Sequence, residues 1–359
     1  MSTSAANNTQ PRKIILDCDP GHDDAIAMLL AWGNPNLELL AVTTVAGNQT
    51  LEKVTKNAQA LARVGGITGV PFAAGAHRPL VGPQLIPDEI HGESGLDGPQ
   101  LPEAGVELED THAVDLIAQV IEREEPGTVT LVPTGALTNI GLFARRYPEL
   151  VSRVAGVTLM GGGHHTGNMT PSAEFNILAD PEAAALVFDA EWPVTMVGLD
   201  VTHKVLAVPS RMAQLKAVGT DVAEFIAELV EFFGGAYMKE RRYPGPPMHD
   251  PLAVAAVADP EVLRTVAAPV VVETKGEYTR GMTVVDLRRT WGAQDQTAEQ
   301  PGDPSSLCLT DDYACAGMDT YGEHVEPVRH RVGVDVDVDR FWDLLVDALT
   351  RIGDTDFRS

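Results

Sequence analysis

The fold of this chain is decided near its start, in the stretch Ile14-Ile15-Leu16-Asp17-Cys18-Asp19-Pro20-Gly21-His22-Asp23-Asp24. The apolar residues that open the stretch predict a buried strand, and the apolar run Ala25–Trp32 predicts a helix directly after it. Four carboxylates therefore crowd into eight residues where a strand passes into a helix. One or two of them suit a helix N-terminus, whose N–H groups and dipole favour negative charge, but four repel one another and need a cation or a proton.

This density of carboxylates predicts a site for a hard divalent cation. Ca²⁺ accepts a cage of oxygen ligands more readily than Mg²⁺, which demands a stricter geometry. The alternative is an ordinary helix cap followed by an acidic first turn, with no ion bound.

The bulk composition limits the classes of partner. The chain has 359 residues, 44% of them hydrophobic, which is ample for one large α/β domain or two ordinary ones. The formal net charge of −25 predicts that nucleic acid is not a partner, because the field of the protein repels a polyanion. A small neutral substrate or a cation fits this charge better.

Cysteine content and hydropathy predict a cytoplasmic protein. Cys18 reads as a small buried residue, while Cys308 and Cys315 share one segment and could pair, but three cysteines imply no disulfide framework. The polar start of the chain does not resemble a signal peptide, and no apolar run is long enough to cross a membrane. Residues 1–11 are expected to form a flexible N-terminus.

Apolar and amphipathic runs alternate along the chain, and this order predicts an α/β fold with a doubly wound, mostly parallel sheet. The predicted strands are Ile14–Asp17, Leu37–Thr44, Val129–Val132, Val154–Met160, Val194–Val197, Ala267–Glu273, Met282–Asp286 and Arg331–Val338. The predicted helices are Ala25–Trp32, Leu51–Val64, Ala113–Glu124, Asn139–Tyr147, Pro181–Phe188, Val222–Met238 and Phe341–Ile352.

We expect a single domain over residues 12–352, because no change in composition marks a linker before residue 288. The segment Thr290–Val328 is atypical: it has eight acidic residues and no Lys or Arg. Its length without apolar periodicity predicts an insertion at about 290–328 that is either functional or mobile.

Polar side chains follow the predicted strands, and in an open α/β sheet the ligand lies beyond the carboxyl ends of the strands. These polar segments are Asp19–Asp24, Ala46-Gly47-Asn48, Pro133-Thr134-Gly135, Gly161–Asn168 and Glu174-Phe175-Asn176. Neutral amides outnumber basic groups among them, so this rim favours an uncharged, polyhydroxylated ligand such as a sugar.

Two of the motifs have a plainer alternative. Gly161–Gly163 could cradle a phosphate, but its spacing matches neither the dinucleotide fingerprint nor a P-loop. In His249-Asp250-Pro251, Asp250 could simply cap a helix that has proline at its first position. It could equally complete a metal site beside a proton-donating His249.

Taken together, these motifs resemble one known family, the inosine–uridine nucleoside hydrolases. The stretch Asp17–Asp24 resembles the DxDPGxDD signature of the family, and the other landmarks follow in matching order. The resemblance covers residues 12 to 289 and resumes at 329 to 352. It implies an enzyme that splits the N-glycosidic bond of ribonucleosides into ribose and free base, with a bound Ca²⁺.

The resemblance also implies a role for each matching residue. The implied Ca²⁺ ligands are three carboxylates and one backbone carbonyl, from Asp19, Asp24, Asp250 and Thr134. The implied contacts to the 2′- and 3′-hydroxyls come from Asp23, Asn48 and Asn176, and those to the 5′-hydroxyl from Asn168 and Glu174.

The remaining implied roles concern the attacking water and the departing base. Asp19 would take the proton from a Ca²⁺-bound water, and His249 would protonate the base. Met160 and Phe175 would line the sugar pocket. His91 would lie near the base or its sugar edge, and Tyr237 is a candidate for stacking on the base.

The cleavage chemistry agrees with these roles. The reaction passes through a ribosyl cation, which carboxylates around the sugar favour, and a metal lowers the pKa of a bound water. A site built to bond a hydroxyl discriminates against a substrate that lacks it, so we expect poor activity on 2′-deoxyribonucleosides. The resemblance further implies a homodimer or homotetramer.

Two alternatives to this function stay open from the sequence. A phosphohydrolase of the haloacid-dehalogenase type also places Asp-x-Asp after its first strand, although here Pro20-Gly21 follows Asp19 and lysines are scarce. A non-catalytic ribose- or nucleoside-binding protein could use the same carboxylate cage without turnover.

Overall fold

The computed structural model describes residues 10–87, 92–241, 243–288 and 329–358, and for 236–241 the backbone alone. The strands are β1 (Arg12–Cys18), β2 (Leu37–Thr44), β3 (Phe72–Ala74), β4 (Val129–Pro133), β5 (Val154–Met160), β6 (Val194–Val197), β7 (Leu263–Ala267), β8 (Val270–Val272), β9 (Thr283–Val285) and β10 (Arg331–Val336).

Helices connect these strands in sequence. They are α1 (His22–Gly33), α2 (Leu51–Val64), α3 (Ala113–Arg123), α4 (Thr138–Arg146), α5 (Pro148–Val151), α6 (Phe175–Ala179), α7 (Pro181–Asp189), α8 (Leu199–Thr202), α9 (Pro209–Val218), α10 (Asp221–Arg241), α11 (His249–Ala258) and α12 (Val338–Ile352).

Eight strands form the central sheet in the order β3-β2-β1-β4-β5-β6-β10-β7. All neighbouring pairs are parallel except β10 and β7. The predicted α/β fold with a doubly wound, mostly parallel sheet is confirmed. A separate antiparallel pair, β8 and β9, packs outside this sheet.

Both faces of the sheet are covered because its strands are apolar on both sides. Along β1, Ile14 and Leu16 belong to one core while Ile15 belongs to the other, as the alternation of side chains along a strand requires. Helices α1, α2, α11 and α12 contribute to the first core, and α3, α4 and α7 to the second.

The topology determines where the site lies. From β1 the chain adds β2 and β3 on one side, and β4, β5 and β6 on the other. The strand order therefore reverses between β1 and β4, and a ligand crevice forms at such a point, beyond the carboxyl ends of the strands. Asp19 directly follows β1 and Thr134 directly follows β4.

Two strands differ from the sequence prediction. The strand predicted over Ala267–Glu273 is wrong as a single element, since β7 ends at Ala267 and β8 begins at Val270. Pro269 lies between them and has no N–H to donate to a ladder, so the two strands join different sheets. The short strand β3 was not predicted, because three residues carry too little pattern.

Several predictions lie outside the described residues. They concern His91, the acidic insertion at about 290–328 with Cys308 and Cys315, and the first nine residues. Tyr237 lies in α10, but its side chain is not described. Within the described ranges, none of the helices combines the length and hydropathy that crossing a bilayer requires.

Candidate active site

Asp19 lies in a close-fitting cradle between the loops that follow β2 and β4. It is fully buried, and its Oδ2 accepts a hydrogen bond from the backbone N–H of Asn48 at 2.7 Å. A Cβ atom added at Gly47 would overlap Oδ2, and one added at Gly135 would overlap Oδ1. Among the described residues, Oδ1 has no hydrogen-bond partner. One buried carboxylate oxygen is thus held in place, and the other is left for a ligand or a proton.

Asp24 contacts both Asp19 and the two neighbouring loops: its Oδ1 accepts a hydrogen bond from the backbone N–H of Asp19 at 3.3 Å. Its Oδ1 accepts a hydrogen bond from Thr134 Oγ1 at 2.8 Å, and its Oδ2 accepts from Asn48 Nδ2 at 3.1 Å. The same oxygen accepts the N–H of Gly21 at 3.1 Å, which caps α1. The acidic start of the helix therefore serves as both a cap and a part of the site.

Three carboxylates converge next to Asp19. Asp23 and Asp24 come from the first turn of α1 and Asp250 from the first turn of α11, and one oxygen of each lies within 4.8 Å of the others. All three are buried. Burial together with the neighbouring carboxylates raises the pKa of Asp250 well above its usual value, and the same causes raise the pKa of Asp23 to about 7.

The same influences act on Asp19, whose pKa is raised well above its usual value by burial first and by Asp24 next. Charged carboxylates at this distance are stable only with a cation or with shared protons. The all-oxygen donor set and the unpartnered Oδ1 of Asp19 fit a hard divalent cation. The structure thus brings together Asp23, Asp24 and Asp250, with Asp19 alongside.

The fourth carboxylate of the stretch has a different position. Asp17 points away from this group, and its Oδ1 accepts hydrogen bonds from Thr43 Oγ1 at 2.6 Å and Asn139 Nδ2 at 2.7 Å. Burial raises its pKa to about 7. Asp17 links β1 to β2 and α4. It does not belong to the acidic cluster, by which we mean Asp23, Asp24 and Asp250.

The predicted sugar-binding residues are held by backbone groups. Glu174 caps α6: its Oε1 accepts the N–H of Asn176 at 2.9 Å, and its Oε2 accepts the N–H of Gly162 at 2.9 Å. Burial raises the pKa of Glu174 to about 7 despite these bonds. Asn176 Nδ2 donates to the carbonyl of Thr134 at 2.7 Å, and Asn168 Oδ1 accepts the N–H of Phe175 at 2.9 Å.

His249 is buried, and its ring is oriented by a neighbouring hydroxyl. Its Nδ1 lies 2.7 Å from Thr202 Oγ1, which comes from the short helix α8. The ring of His203 crosses that of His249 with centroids 5.5 Å apart, and Tyr243 lies 3.2 Å from His203 Nδ1. The sequence analysis missed Thr202, because nothing in the local pattern around it indicates a partner 47 residues away.

Most of these groups line a single pocket, whose empty volume is about 460 Å³. Its lining comprises Asp23, Asn48, Pro87, Thr134, Met160, Asn168, Met169, Glu174, Phe175, Asn176, Phe233, His249 and Asp250. Ten of these thirteen were predicted as site residues. Asp19 and Asp24 are fully buried and contact the lining residues Asn48 and Thr134.

The three lining residues that the sequence missed are Pro87, Met169 and Phe233. They are apolar residues in loops or in the middle of a helix, where no chemical pattern distinguishes them from core. His22, which lies within the acidic stretch, contacts one of these residues, Phe233. It is buried and stacks on Phe232 and Phe233, with centroids 5.5 and 5.3 Å away, and its Nε2 lies 2.8 Å from the carbonyl of Asp97.

Comparison with known proteins agrees with this geometry. The family model described as inosine-uridine preferring nucleoside hydrolase matches residues 14–343. The chain is 47% identical over 345 residues to the inosine-uridine preferring nucleoside hydrolase of Crithidia fasciculata, covering 96% of this chain and 99% of that protein. The protein of the same name from Leishmania major is 48% identical with the same coverage.

Relatives with other printed specificities are similar as well. The pyrimidine-specific ribonucleoside hydrolase RihA of Photobacterium profundum is 48% identical over 278 residues, which are 77% of this chain and 89% of that protein. The solved purine-preferring ribonucleoside hydrolase from Gardnerella vaginalis superposes with a TM-score of 0.79 at 30% identity, covering 96% of this chain and 99% of that one.

Proposed function

This chain belongs to the inosine-uridine preferring nucleoside hydrolase family and is a ribonucleoside hydrolase, and we propose that the pocket above its buried acidic cluster is the catalytic site. There the N-glycosidic bond of a ribonucleoside is hydrolysed to ribose and free base. The observation that carries the assignment is the convergence of Asp23, Asp24 and Asp250, two of which (Asp23 and Asp250) line a pocket that His249 also lines. The phosphohydrolase and the non-catalytic binding protein are set aside, because the homologues are ribonucleoside hydrolases.

The proposed metal is Ca²⁺, held by Asp19, Asp24, Asp250 and the carbonyl of Thr134. The all-oxygen donors, their burial and their mutually raised pKa values support a hard dication in this position. A dication bound there supplies Lewis acidity that lowers the pKa of a water and also orients it. Asp23 lies within the same group of oxygens and can bind the metal or a sugar hydroxyl.

Asp19 is the proposed general base. The N–H of Asn48 fixes Oδ2, and Oδ1 is left to accept a proton from the water that attacks C1′ of the ribose. A positioned general base contributes roughly 10²–10⁴-fold to a rate.

The sugar is proposed to be held through its three hydroxyls. Asp23, Asn48 and Asn176 are assigned to the 2′- and 3′-hydroxyls, and Asn168 and Glu174 to the 5′-hydroxyl. Met160 and Phe175 form the apolar wall. A missing 2′-hydroxyl would leave buried polar groups unpaired, which supports the expectation of poor activity on 2′-deoxyribonucleosides.

The base is proposed to leave as the N–C1′ bond breaks, with its electrons taken up by the ring and a proton supplied by His249. The hydroxyl of Thr202 holds Nδ1 of this histidine, so the other nitrogen, Nε2, is the one placed to donate. His91 and Tyr237 remain proposed base contacts.

We propose that inosine and uridine are both substrates. The relatives that match over nearly their whole length have that printed preference. The described lining residues not assigned to the sugar, the metal or the proton donor are apolar (Pro87, Met169 and Phe233), and apolar contacts discriminate weakly between a purine and a pyrimidine.

The test is the release of reducing sugar from inosine, uridine, adenosine, guanosine, cytidine and 2′-deoxyinosine, with and without a chelator. We expect turnover of inosine and uridine, loss of turnover with the chelator, and its recovery with added Ca²⁺. The variant Asp19→Asn should lower kcat by about 10²-fold or more while inosine binding changes little. The matched control is Asp347→Asn, an exposed carboxylate on α12.

Two results would contradict the site assignment. Full activity of Asp19→Asn would show that Asp19 is not the general base. Full activity in excess chelator would show that the reaction does not need a bound metal. A homodimer or homotetramer is also proposed from the family resemblance and is tested by light scattering during size-exclusion chromatography. A cytoplasmic location and the absence of nucleic-acid partners remain predictions from composition.

A further inference from the structure

Two adjacent histidines and one aspartate form a second cluster of possible metal ligands at the ends of β5 and β6. His164 and His165 lie in the turn after β5, and Asp200 lies in α8, which follows β6. The Nδ1 of His164 is 3.0 Å from Asp200 Oδ2, and the Nδ1 of His165 is 3.0 Å from Asp200 Oδ1. These three ligand atoms lie within 4.8 Å of one another.

One contact in this cluster is not explained by hydrogen bonding. The side chain of His164 is only 6% exposed, and its Nδ1 points at Asp200 across a short distance. Nevertheless, Nδ1 lacks an aligned hydrogen-bond partner within the described ranges. A ring nitrogen and a carboxylate oxygen 3.0 Å apart can share either a proton or a cation.

The carboxylate of Asp200 is positioned by several contacts with the two histidines. Its Oδ2 lies 3.0 Å from Nδ1 of His164, and its Oδ1 lies 3.0 Å from Nδ1 of His165. The backbone N–H groups of His164 and His165 also donate to this carboxylate, at 2.7 and 3.2 Å. Asp200 is therefore fixed in position by the turn that carries both histidines.

The donor set differs from that of the active site. The acidic cluster offers only oxygen atoms, which suit a hard cation such as Ca²⁺. Two imidazole nitrogens and one carboxylate oxygen suit a borderline dication of the first transition series, Zn²⁺ among them. None of the three residues lines the pocket, so the proposed catalytic function leaves them without a role.

We propose that His164, His165 and Asp200 form a second metal site, which binds a transition-metal dication such as Zn²⁺ and leaves its remaining coordination positions to water. The exposed ring of His165 (73% of the side chain) gives the ion access from solvent, while His164 and Asp200 form the fixed inner side.

The position of the site indicates what the ion would do. The turn with the two histidines leads into the segment that carries Asn168 and Glu174. Asp200 shares one short helix with Thr202, which contacts His249. A bound ion would join these two segments and so restrain both the proposed sugar contacts and the proposed proton donor.

The test is calorimetric titration of the untagged protein with Zn²⁺ in saturating Ca²⁺, with Co²⁺ absorption spectra as a second readout. We expect one Zn²⁺ per chain beyond the Ca²⁺ site and visible d–d bands typical of nitrogen and oxygen ligation. His165→Ala, which removes an exposed ring and should not disturb folding, is expected to weaken Zn²⁺ binding by about tenfold or more.

The matched control is His77→Ala, an exposed histidine in another loop, which should bind Zn²⁺ like the wild type. Asp200→Asn should also lose binding, with circular dichroism to check its fold. Equal Zn²⁺ affinity in His165→Ala and wild type would overturn the proposal, and so would the absence of Zn²⁺ binding to the Ca²⁺-saturated wild type. Neither result depends on hydrolase activity, so the catalytic assignment is tested separately.

Discussion

At the scale of single residues, four aspartates that lie within eight positions of the sequence have different tasks. Asp17 joins strands and a helix through Thr43 and Asn139. Asp19 lies in a glycine-lined cradle, and Asp23 and Asp24 turn toward Asp250. Asp17 lies within β1, whereas Asp19 follows the strand and Asp23 and Asp24 lie in the first turn of α1, so the change from strand to helix gives these carboxylates different surroundings.

His249 gives a prediction that depends on the leaving group. In His249→Ala, inosine should lose much more activity than an activated p-nitrophenyl riboside, whose leaving group needs no proton. Thr202→Val removes the 2.7 Å contact to Nδ1 and should lower kcat for inosine by about tenfold or less, because one hydrogen bond is worth about 0.5–1.5 kcal/mol.

The measurement is the ratio of kcat for the two substrates in each variant. Thr202→Ser keeps the hydroxyl and is the matched control, which should behave like the wild type. If both substrates lose activity equally in His249→Ala, this histidine does not protonate the base.

Glu174 gives a prediction for stability against pH. Burial raises its pKa from 4.5 in the unfolded chain to about 7, so the folded state binds the proton more tightly. The stabilisation from this group is complete below pH 4.5 and is lost as the pH rises to about 7, by at most about 3 kcal/mol. Glu174→Gln stays neutral and should lose this part of the decline.

Urea unfolding of both proteins at pH 5, 6, 7 and 8, with a chelator present throughout, measures the two slopes. The wild type should lose free energy of unfolding more steeply than Glu174→Gln between pH 5 and 7. Parallel slopes would mean that Glu174 ionises in the folded protein as it does in the unfolded chain.

At the scale of secondary-structure elements, the site is made by the ends of strands and the first turns of helices. The loop after β2 brings Asn48, the loop after β4 brings Thr134, and α11 presents Asp250 beside the start of α1. The short helices α6 and α8 bury Ile177, Leu199 and Val201 in the cores, and this packing fixes Asn176 and Thr202. These elements therefore place polar groups on an apolar support.

The loop after β4 gives the prediction at this scale. A Cβ at Gly135 would overlap Oδ1 of Asp19, while the backbone there does not require positive φ. Gly135→Ala should therefore displace the carboxylate and lower kcat by about 10²-fold, with a smaller effect on the fold. The matched control is Gly235→Ala in α10, where a Cβ meets open space.

Steady-state kinetics and thermal melts of both variants check this expectation. Wild-type kcat in Gly135→Ala would show that Asp19 has room to move and that the cradle does not constrain it.

At the scale of the whole molecule, one central sheet separates two hydrophobic cores, and the proposed site lies at the edge formed by the carboxyl ends of its strands. The central strands are buried on both faces, so the carboxyl ends of β1 and β4 are the natural opening at the reversal of strand order. β10 and α12, from the end of the chain, return to this sheet beside β6 and against α1. Because β10 adds Val332 to the second core and α12 adds Phe341 and Trp342 to the first, we propose that residues 12–352 form a single domain.

The sequence by itself determined the alternation of strands and helices, and hence the parallel sheet and the edge on which the site lies. The type of each element and the order of the elements along the chain follow from the local pattern of apolar side chains. The sequence also supplied ten of the thirteen pocket residues, because the ordered motifs resemble those of a known family and several of them follow predicted strands.

The tertiary structure alone decided which groups meet. It turned Asp17 inward to Asn139, buried His22 against two phenylalanines, set Thr202 against His249, and brought His164 and His165 to Asp200. It also separated β7 from β8 into different sheets. The reason is physical: contacts between residues far apart in the chain depend on packing and on the satisfaction of buried polar groups, which no local pattern encodes.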